Sequence, residues 1–227
     1  MAAKRGRRAA RRPARAPLPQ ALLDPACYGP GVDEVRLVET HVSWVFLTGR
    51  HAYKVKKPVK LPFVDFSTLA LRERFCHEEL RINRRLAPDL YLAVVPIGGS
   101  AAAPRVGRKP AFEYAVKMRE FPSDARLDRQ LAANGVPGAA FAAFGATLAQ
   151  FHGGLAPVRR VSAAEVARAA QRNVAELGEY LRASHATELE RLRAWTDAQC
   201  ERLAEIFAQR AAAGAHRECH GDLHLQN

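Results

Sequence analysis

No stretch of this sequence approaches the roughly 18 uninterrupted apolar residues of a membrane-spanning helix. Cysteine is scarce. Cys27, Cys76, Cys200 and Cys219 form no C-x-x-C pair and are too few for a disulfide framework, which points to a reducing compartment, the cytoplasm. Acid is missing from residues 1–16, which hold seven basic residues and leave +5 of the +12 formal charge to the other 211. That segment also lacks interleaved aromatics, serine enrichment and a long apolar run. It therefore reads as a disordered, solvated basic tail rather than a nucleic-acid arm, transit peptide or secretory signal. No internal repeat is present. At about 150 residues per domain, 227 residues allow one large domain or two small ones. Such a length buries a core without staples.

Pattern supplies what composition does not. Pro17–Asp24 predicts a short helix ended by Asp24-Pro25. Val32–Glu39, Ser43–Leu47 and His51–Lys57 read as strands, with Thr48-Gly49-Arg50 as the tight turn of a hairpin. Ser67 is placed to cap a helix over Thr68–Leu86, closed by Ala87-Pro88. Tyr91–Ile97 and Phe112–Arg119 read as strands, and the Gly/Pro/Ala-rich stretch Gly98–Pro110 as an exposed connection between them. Beyond Phe121-Pro122 the strands give way to Ala-rich helical stretches over Ala140–Phe151, Ala163–Leu181 and Ala186–Ala213. About five strands with one helix, followed by helices, predict an α+β fold in two lobes.

Three features carry chemistry. In the strand His51–Lys57, a period of two puts Ala52, Lys54 and Lys56 on one face. Ala52 leaves room for a flat base and Lys54 reaches phosphates; the bland alternative is a solvated lysine edge. In the helix over Thr68–Leu86, steps of about 100° gather Leu71, Phe75, Ile82 and Leu86 on one arc and Leu69, Cys76 and Leu80 on another. Glu79 falls between the arcs. A carboxylate amid apolar surface needs a partner; a lysine on the facing strand is one, and Arg72 or Asn83 on its own helix are the alternatives. The third feature is His220-Gly-Asp222-Leu-His-Leu-Gln-Asn227. An Asp followed five residues later by an Asn is what phosphoryl transfer uses, the Asp orienting the attacking hydroxyl and the Asn amide oxygen binding Mg²⁺. His216, His220 and His224 with Cys219 offer a competing zinc reading, which Gly214 and Gly221 disfavour by interrupting a helix there.

With these residues in view, the sequence resembles the aminoglycoside phosphotransferase-like branch of the protein-kinase-like superfamily. HGDLHLQN, residues 220–227, looks like that family's catalytic loop. The stretches Glu39–Val59, Phe63–Leu69, Glu79–Ile97 and Glu113–Phe121 are similar to a bacterial subgroup often fused to a P-loop kinase-like domain. The resemblance covers roughly residues 20–227. It implies a two-lobe fold: a β-rich N-lobe over 17–117, a hinge at 118–122 and an incomplete helical C-lobe over 123–227. It implies that Lys54 holds the α/β-phosphates of ATP and pairs with Glu79. Met118, Arg119, Glu120 and Phe121 would be the hinge that meets the adenine beside Ala52. Asp222 would be the catalytic base and Asn227 a magnesium ligand. The turn Thr40-His41-Val42-Ser43 would stand in for the Gly-rich loop, with Ser43 or backbone N–H groups supplying the donors.

The family pattern continues past the catalytic loop with a strand pair carrying an Asp for a second Mg²⁺, then further helices. The sequence ends at Asn227 and contains no G-x-x-x-x-G-K-[ST]. The resulting expectation is a truncated product or an incomplete reading frame, with weak turnover and with any P-loop partner encoded downstream. The expected activity is transfer of the ATP γ-phosphate to the hydroxyl of a small-molecule acceptor. Rival readings are a nucleotide-binding pseudokinase module and a nucleic-acid-binding protein acting through the basic tail; neither a membrane nor nucleic acid is the expected partner.

Overall fold

A computed structural model describes residues 18–158, 161–181 and 183–225. The expected basic tail and the expected metal ligand Asn227 both lie outside the described residues. The described chain is α+β and divides into two units, with the border between Arg129 and Gln130.

The first unit opens with a short helix α1 (Leu18–Ala21) and a 3-10 turn (Pro25–Cys27) capped by the Asp24 carboxylate. Strands β1 (Arg36–Glu39), β2 (Ser43–Leu47) and β3 (His51–Lys56) follow. A two-stranded ribbon, β4 (Lys60–Leu61) with β5 (Val64–Asp65), leads to helix α2 (Leu69–Asn83). The unit is completed by β6 (Tyr91–Ser100), β7 (Ala103–Val106) and β8 (Ala111–Arg119). Six of these strands form one antiparallel sheet in the order β1-β2-β3-β8-β6-β7. The β2–β3 hairpin forms as the sequence predicts, with Thr48 Oγ1 bonded to the carbonyl of His51 across the turn.

Alternation along β3 assigns the two faces of the sheet. Tyr53 and Val55 join Phe46, Ile97 and Ala115 in an apolar core that Leu18, Leu22 and Cys27 close from one side. Ala52, Lys54 and Lys56 occupy the opposite face, where α2 packs on β6 and β8. A second tie between helix and sheet is buried: Arg72 Nε donates to both oxygens of Glu113, at 3.0 and 2.8 Å, and its Nη1 donates to the Phe66 carbonyl at 2.9 Å.

Several boundaries differ from the sequence expectation. Thr68, not Ser67, caps α2: its hydroxyl accepts from Leu71 N–H, while the Ser67 hydroxyl and N–H are both committed to Asp65. The connection expected over Gly98–Pro110 contains β7. Pro104 disguises it in the sequence, but β7 is an edge strand, where a missing N–H is tolerated. Gly98 marks the crowded end of β6: a β-carbon there would lie 2.5 Å from the Arg108 carbonyl oxygen.

The second unit holds α4 (Gly138–Gly154), α5 (Ala163–Tyr180) and α6 (Ala186–Ala212), all close to their expected bounds; α3 (Leu127–Asn134), which spans the border, is an addition. Ser162 starts α5 with a capping box, its hydroxyl accepting from Glu165 N–H while the Glu165 carboxylate accepts from Ser162 N–H. Helices α5 and α6 pack on each other through Val174 and Thr196, with Gln171 donating to Asp197 at 2.7 Å.

Candidate functional site

The sheet face under α2 gathers three charges. Lys54 Nζ donates to Glu79 Oε1 at 2.8 Å, and Lys56 Nζ donates to Glu79 Oε2 at 2.6 Å. Strand period brings the two lysines to one face, two residues apart. Helix period puts Glu79 above them, one turn beyond the fully buried Cys76. Of the alternative partners for Glu79, Arg72 is taken by Glu113, and Asn83 donates to the Glu79 backbone carbonyl rather than to its carboxylate.

Burial alone would raise the Glu79 carboxyl above its ordinary value. The Lys54 and Lys56 ammoniums outweigh that and hold it below. For Lys54, burial works downward, the Glu79 charge works upward, and the net direction is up. Glu79 and Lys54 are thus both favoured in their charged forms, and two lysines against one carboxylate give the cluster a formal excess of one positive charge. Cys76, beside it, has its thiol pushed up to about 12, chiefly by burial, so it is an inert packing residue. Ala52 is buried on the same face and pairs with Leu47 and Met118 on the neighbouring strands.

The expected hinge residues sit at the end of β8. Arg119 N–H donates to the Leu90 carbonyl at 2.8 Å and Glu120 N–H to the Arg50 carbonyl at 3.1 Å. The Glu120 carboxylate accepts from Gly49 N–H at 2.7 Å and from Arg36 at 3.1 Å. Glu120 therefore braces the β2–β3 turn, a role its sequence position does not announce. Phe121 is exposed.

The turn before β2 is closed on itself. Thr40 N–H donates to the Ser43 carbonyl at 2.9 Å, and Ser43 N–H donates to Thr40 Oγ1 at 3.0 Å. Ser43 is only 1% exposed, and its hydroxyl is buried with no hydrogen-bond partner among the described residues. The Ser43 hydroxyl is enclosed at the start of β2, opposite Lys56 in register.

In the second unit Asp222 follows Gly221, whose φ of +83° turns the chain. The Asp222 N–H donates to His220 Nδ1 at 3.3 Å, and its carboxylate, 80% exposed, lies 3.8 Å from His224 Nε2. His216 Nδ1 accepts from Val161 N–H at 3.0 Å. Among the described residues no group of three His, Cys, Asp or Glu side chains is arranged for a metal ion, and the histidine series forms no zinc cluster there. No helix among the described residues is long and apolar enough to cross a membrane. All four cysteines are free thiols.

Sequence reasoning missed one member of this site, Lys56. The signal was present, since Lys56 shares the face of Lys54, but period alone does not say which of two lysines a helix carboxylate will take. A depression of about 420 Å³ opens elsewhere, beside the β2–β3 turn, lined by Asp33, Arg36, Gly49 and Arg50 among others, and none of the expected site residues lines it.

Uncharacterised proteins of Mycobacterium tuberculosis and Mycobacterium bovis are similar to this chain. Each is 37% identical to it over 118 residues, which is 50% of this chain and 22% of the relative. The chain therefore spans about a fifth of the length of the curated relatives it matches. No family model matches the chain, and no solved structure does.

Proposed function

We propose that this chain is the ATP-binding part of a small-molecule phosphotransferase of the aminoglycoside phosphotransferase-like type, with a protein-kinase-like two-lobe arrangement. The observation that carries the reading is the Lys54–Glu79 ion pair, which joins the third strand of an antiparallel sheet to helix α2, packed on β6 and β8 of that sheet. A half-buried ammonium held by a helix carboxylate is a positioned cation, and phosphoryl transfer depends on such positioning and charge neutralisation more than on covalent chemistry. In this reading Lys54 takes the α/β-phosphates, Ala52 underlies the base, and Asp222 orients the acceptor hydroxyl.

At the adenine edge, the N–H groups of Arg119 and Glu120 are already used within the sheet. Base recognition along Met118–Phe121 falls to the remaining backbone groups. With the Thr40 and Ser43 N–H groups closed within the turn, its phosphate donors are the backbone N–H groups of His41 and Val42 rather than the enclosed Ser43 hydroxyl. The Asn227 amide offers a hard oxygen donor of the kind Mg²⁺ takes, and Mg²⁺ completes its shell with water and substrate phosphates. The exposed Asp222 carboxylate is accessible to an acceptor hydroxyl, the use this reading gives it. When bound, the ion would supply charge neutralisation at the transferring phosphoryl group. A P-loop kinase-like domain is the proposed covalent partner, and the acceptor is a small molecule bearing a hydroxyl group.

The test is calorimetric titration of the purified chain with MgATP, beside Lys54→Met and Asp222→Asn. Lys54→Met is expected to weaken binding by about tenfold or more, while Asp222→Asn keeps binding and removes any phosphoryl transfer. Wild-type chain that ignores MgATP refutes the reading. Binding without turnover, even when a longer relative supplies the rest of the protein, assigns the fold to a nucleotide-binding pseudokinase module instead.

A further inference from the structure

Glu79 has two lysines where one would neutralise it, and the two differ. The Lys54 side chain is 30% exposed, whereas that of Lys56 is 6% exposed and Glu79 is 13% exposed. The Lys56 ammonium also lies 4.8 Å from the centroid of the Phe66 ring, a further attraction that holds it inside. By register Lys56 stands opposite Ser43 at the start of β2, and Lys54 opposite Val45 in the middle of that strand. One lysine side chain is thus locked in the interior and the other keeps partial exposure.

We propose that Lys56 is the standing counter-ion of Glu79 and that this frees Lys54 to be drawn off by an anionic, polyphosphate-bearing ligand. The physical reason is the cost of an unpaired buried charge. With a single lysine, pulling that lysine toward a phosphate strips a buried carboxylate of its partner, which is strongly unfavourable. With Lys56 in place Glu79 stays neutralised, α2 stays tied to β3, and the net positive charge of the cluster is offered outward. Lys56 is then a positioning residue: it touches no ligand and acts through Glu79. The ligand class rests on the phosphotransferase reading; the roles of the two lysines rest on the geometry.

The experiment has two arms on the full chain. Without ligand, the ionisation of Glu79 is followed by its carboxyl ¹³C shift at neutral pH, together with the thermal midpoint, in wild type, Lys54→Met, Lys56→Met and Lys56→Arg. Lys54→Met is expected to leave Glu79 ionised and to lower the midpoint by less than half as much as Lys56→Met. Glu79 becoming protonated in Lys54→Met, or an equal loss of midpoint in both, overturns the proposal. If Lys56→Met does not fold, the Glu79 state in Lys54→Met decides alone. With MgATP as the probe, Lys56→Met is expected to bind about tenfold more weakly, with Lys56→Arg restoring most of the affinity, because a guanidinium keeps the charge on Glu79. Unchanged affinity in a folded Lys56→Met also overturns it. Wild-type chain that does not bind MgATP refutes the nucleotide reading instead, and the ligand-free arm still decides what Lys56 does.

Discussion

The two units use apolar residues in opposite ways. In the β-rich unit the apolar side chains are consumed: Phe46, Leu22, Ile97, Val55 and Val116 are essentially sealed from solvent. Helix α4 is the extreme on the other side. Its sequence is rich in Ala and Gly, none of its residues is buried, and Phe141 and Phe144 are exposed on a stripe that continues through Leu148 and Phe151. Helices α5 and α6 cover part of each other, yet Tyr180 and Trp195 are largely exposed. A sheet with both faces covered derives stability from long-range packing, whereas an Ala-rich helix with no buried side chain relies on local propensity. The first unit is therefore expected to unfold cooperatively and the second to be the weaker partner. The chain carries its own probes of this, Trp44 in β2 and Trp195 in α6. Replacing either tryptophan by Phe lets fluorescence follow one unit at a time.

The largest separation comes from the core. Phe46→Ala removes a fully buried ring and is expected to destabilise the first unit by about 3–5 kcal/mol. The Trp44 transition in urea moves to lower concentration and the Trp195 transition stays put; a joint shift would mean that the two units unfold as one. Next is the buried ion pair. Arg72→Met leaves the Glu113 carboxylate without its partner and is expected to cost about 3 kcal/mol, again read by Trp44. Restoring neutrality in Arg72→Met/Glu113→Leu recovers much of that loss, since well-packed apolar replacements of a buried pair are tolerated.

These two positions also show what a single sequence reveals. The strand that carries Phe46 is legible, because it is a short, mostly apolar run that ends in a Gly turn. The Arg72–Glu113 pair is not, because it joins residues 41 apart whose partnership depends on where the helix lands on the sheet. The same distinction runs through the candidate site. The face shared by Lys54 and Lys56 follows from the strand period, and the need of Glu79 for a partner follows from its apolar surroundings. The double pairing is set by the tertiary approach of α2. Strand β7 was hidden for a different reason: edge strands accept the Gly and Pro that otherwise signal a loop. In the second unit the helices were legible from alanine content, whereas the Ser162 capping box emerged only from the structure. The Asp222 segment was legible as a motif, whereas its exposure could be learned only from the structure.

Acid sharpens the comparison further. The Glu79 carboxyl is held below its ordinary value of 4.5 in the folded chain. Its contribution is therefore complete above that value and is lost as pH falls through the folded one. Lys54 is raised, so its contribution is present below 10.5 and is lost as pH rises through the folded value. In urea titrations from pH 7 to pH 3 the Trp44 transition is expected to weaken as Glu79 takes up its proton. Glu79→Gln starts weaker at pH 7 and has a flatter acid limb. An acid limb equally steep in Glu79→Gln would assign the sensitivity to other carboxylates.

The smallest effect is expected where rings are already about half exposed. Phe141→Ser and Phe144→Ser remove rings from α4 that bury little, so the Trp195 transition should move by no more than about 0.5 kcal/mol. The same pair of changes in a core helix would be severe, and that contrast is the point of the experiment. If the double variant instead lowers the Trp195 transition by several kcal/mol, the apolar stripe of α4 is engaged in solution and the contrast between the units disappears. If stability holds while the chain becomes more soluble at high concentration, the stripe is an open apolar surface, as its lack of buried residues requires.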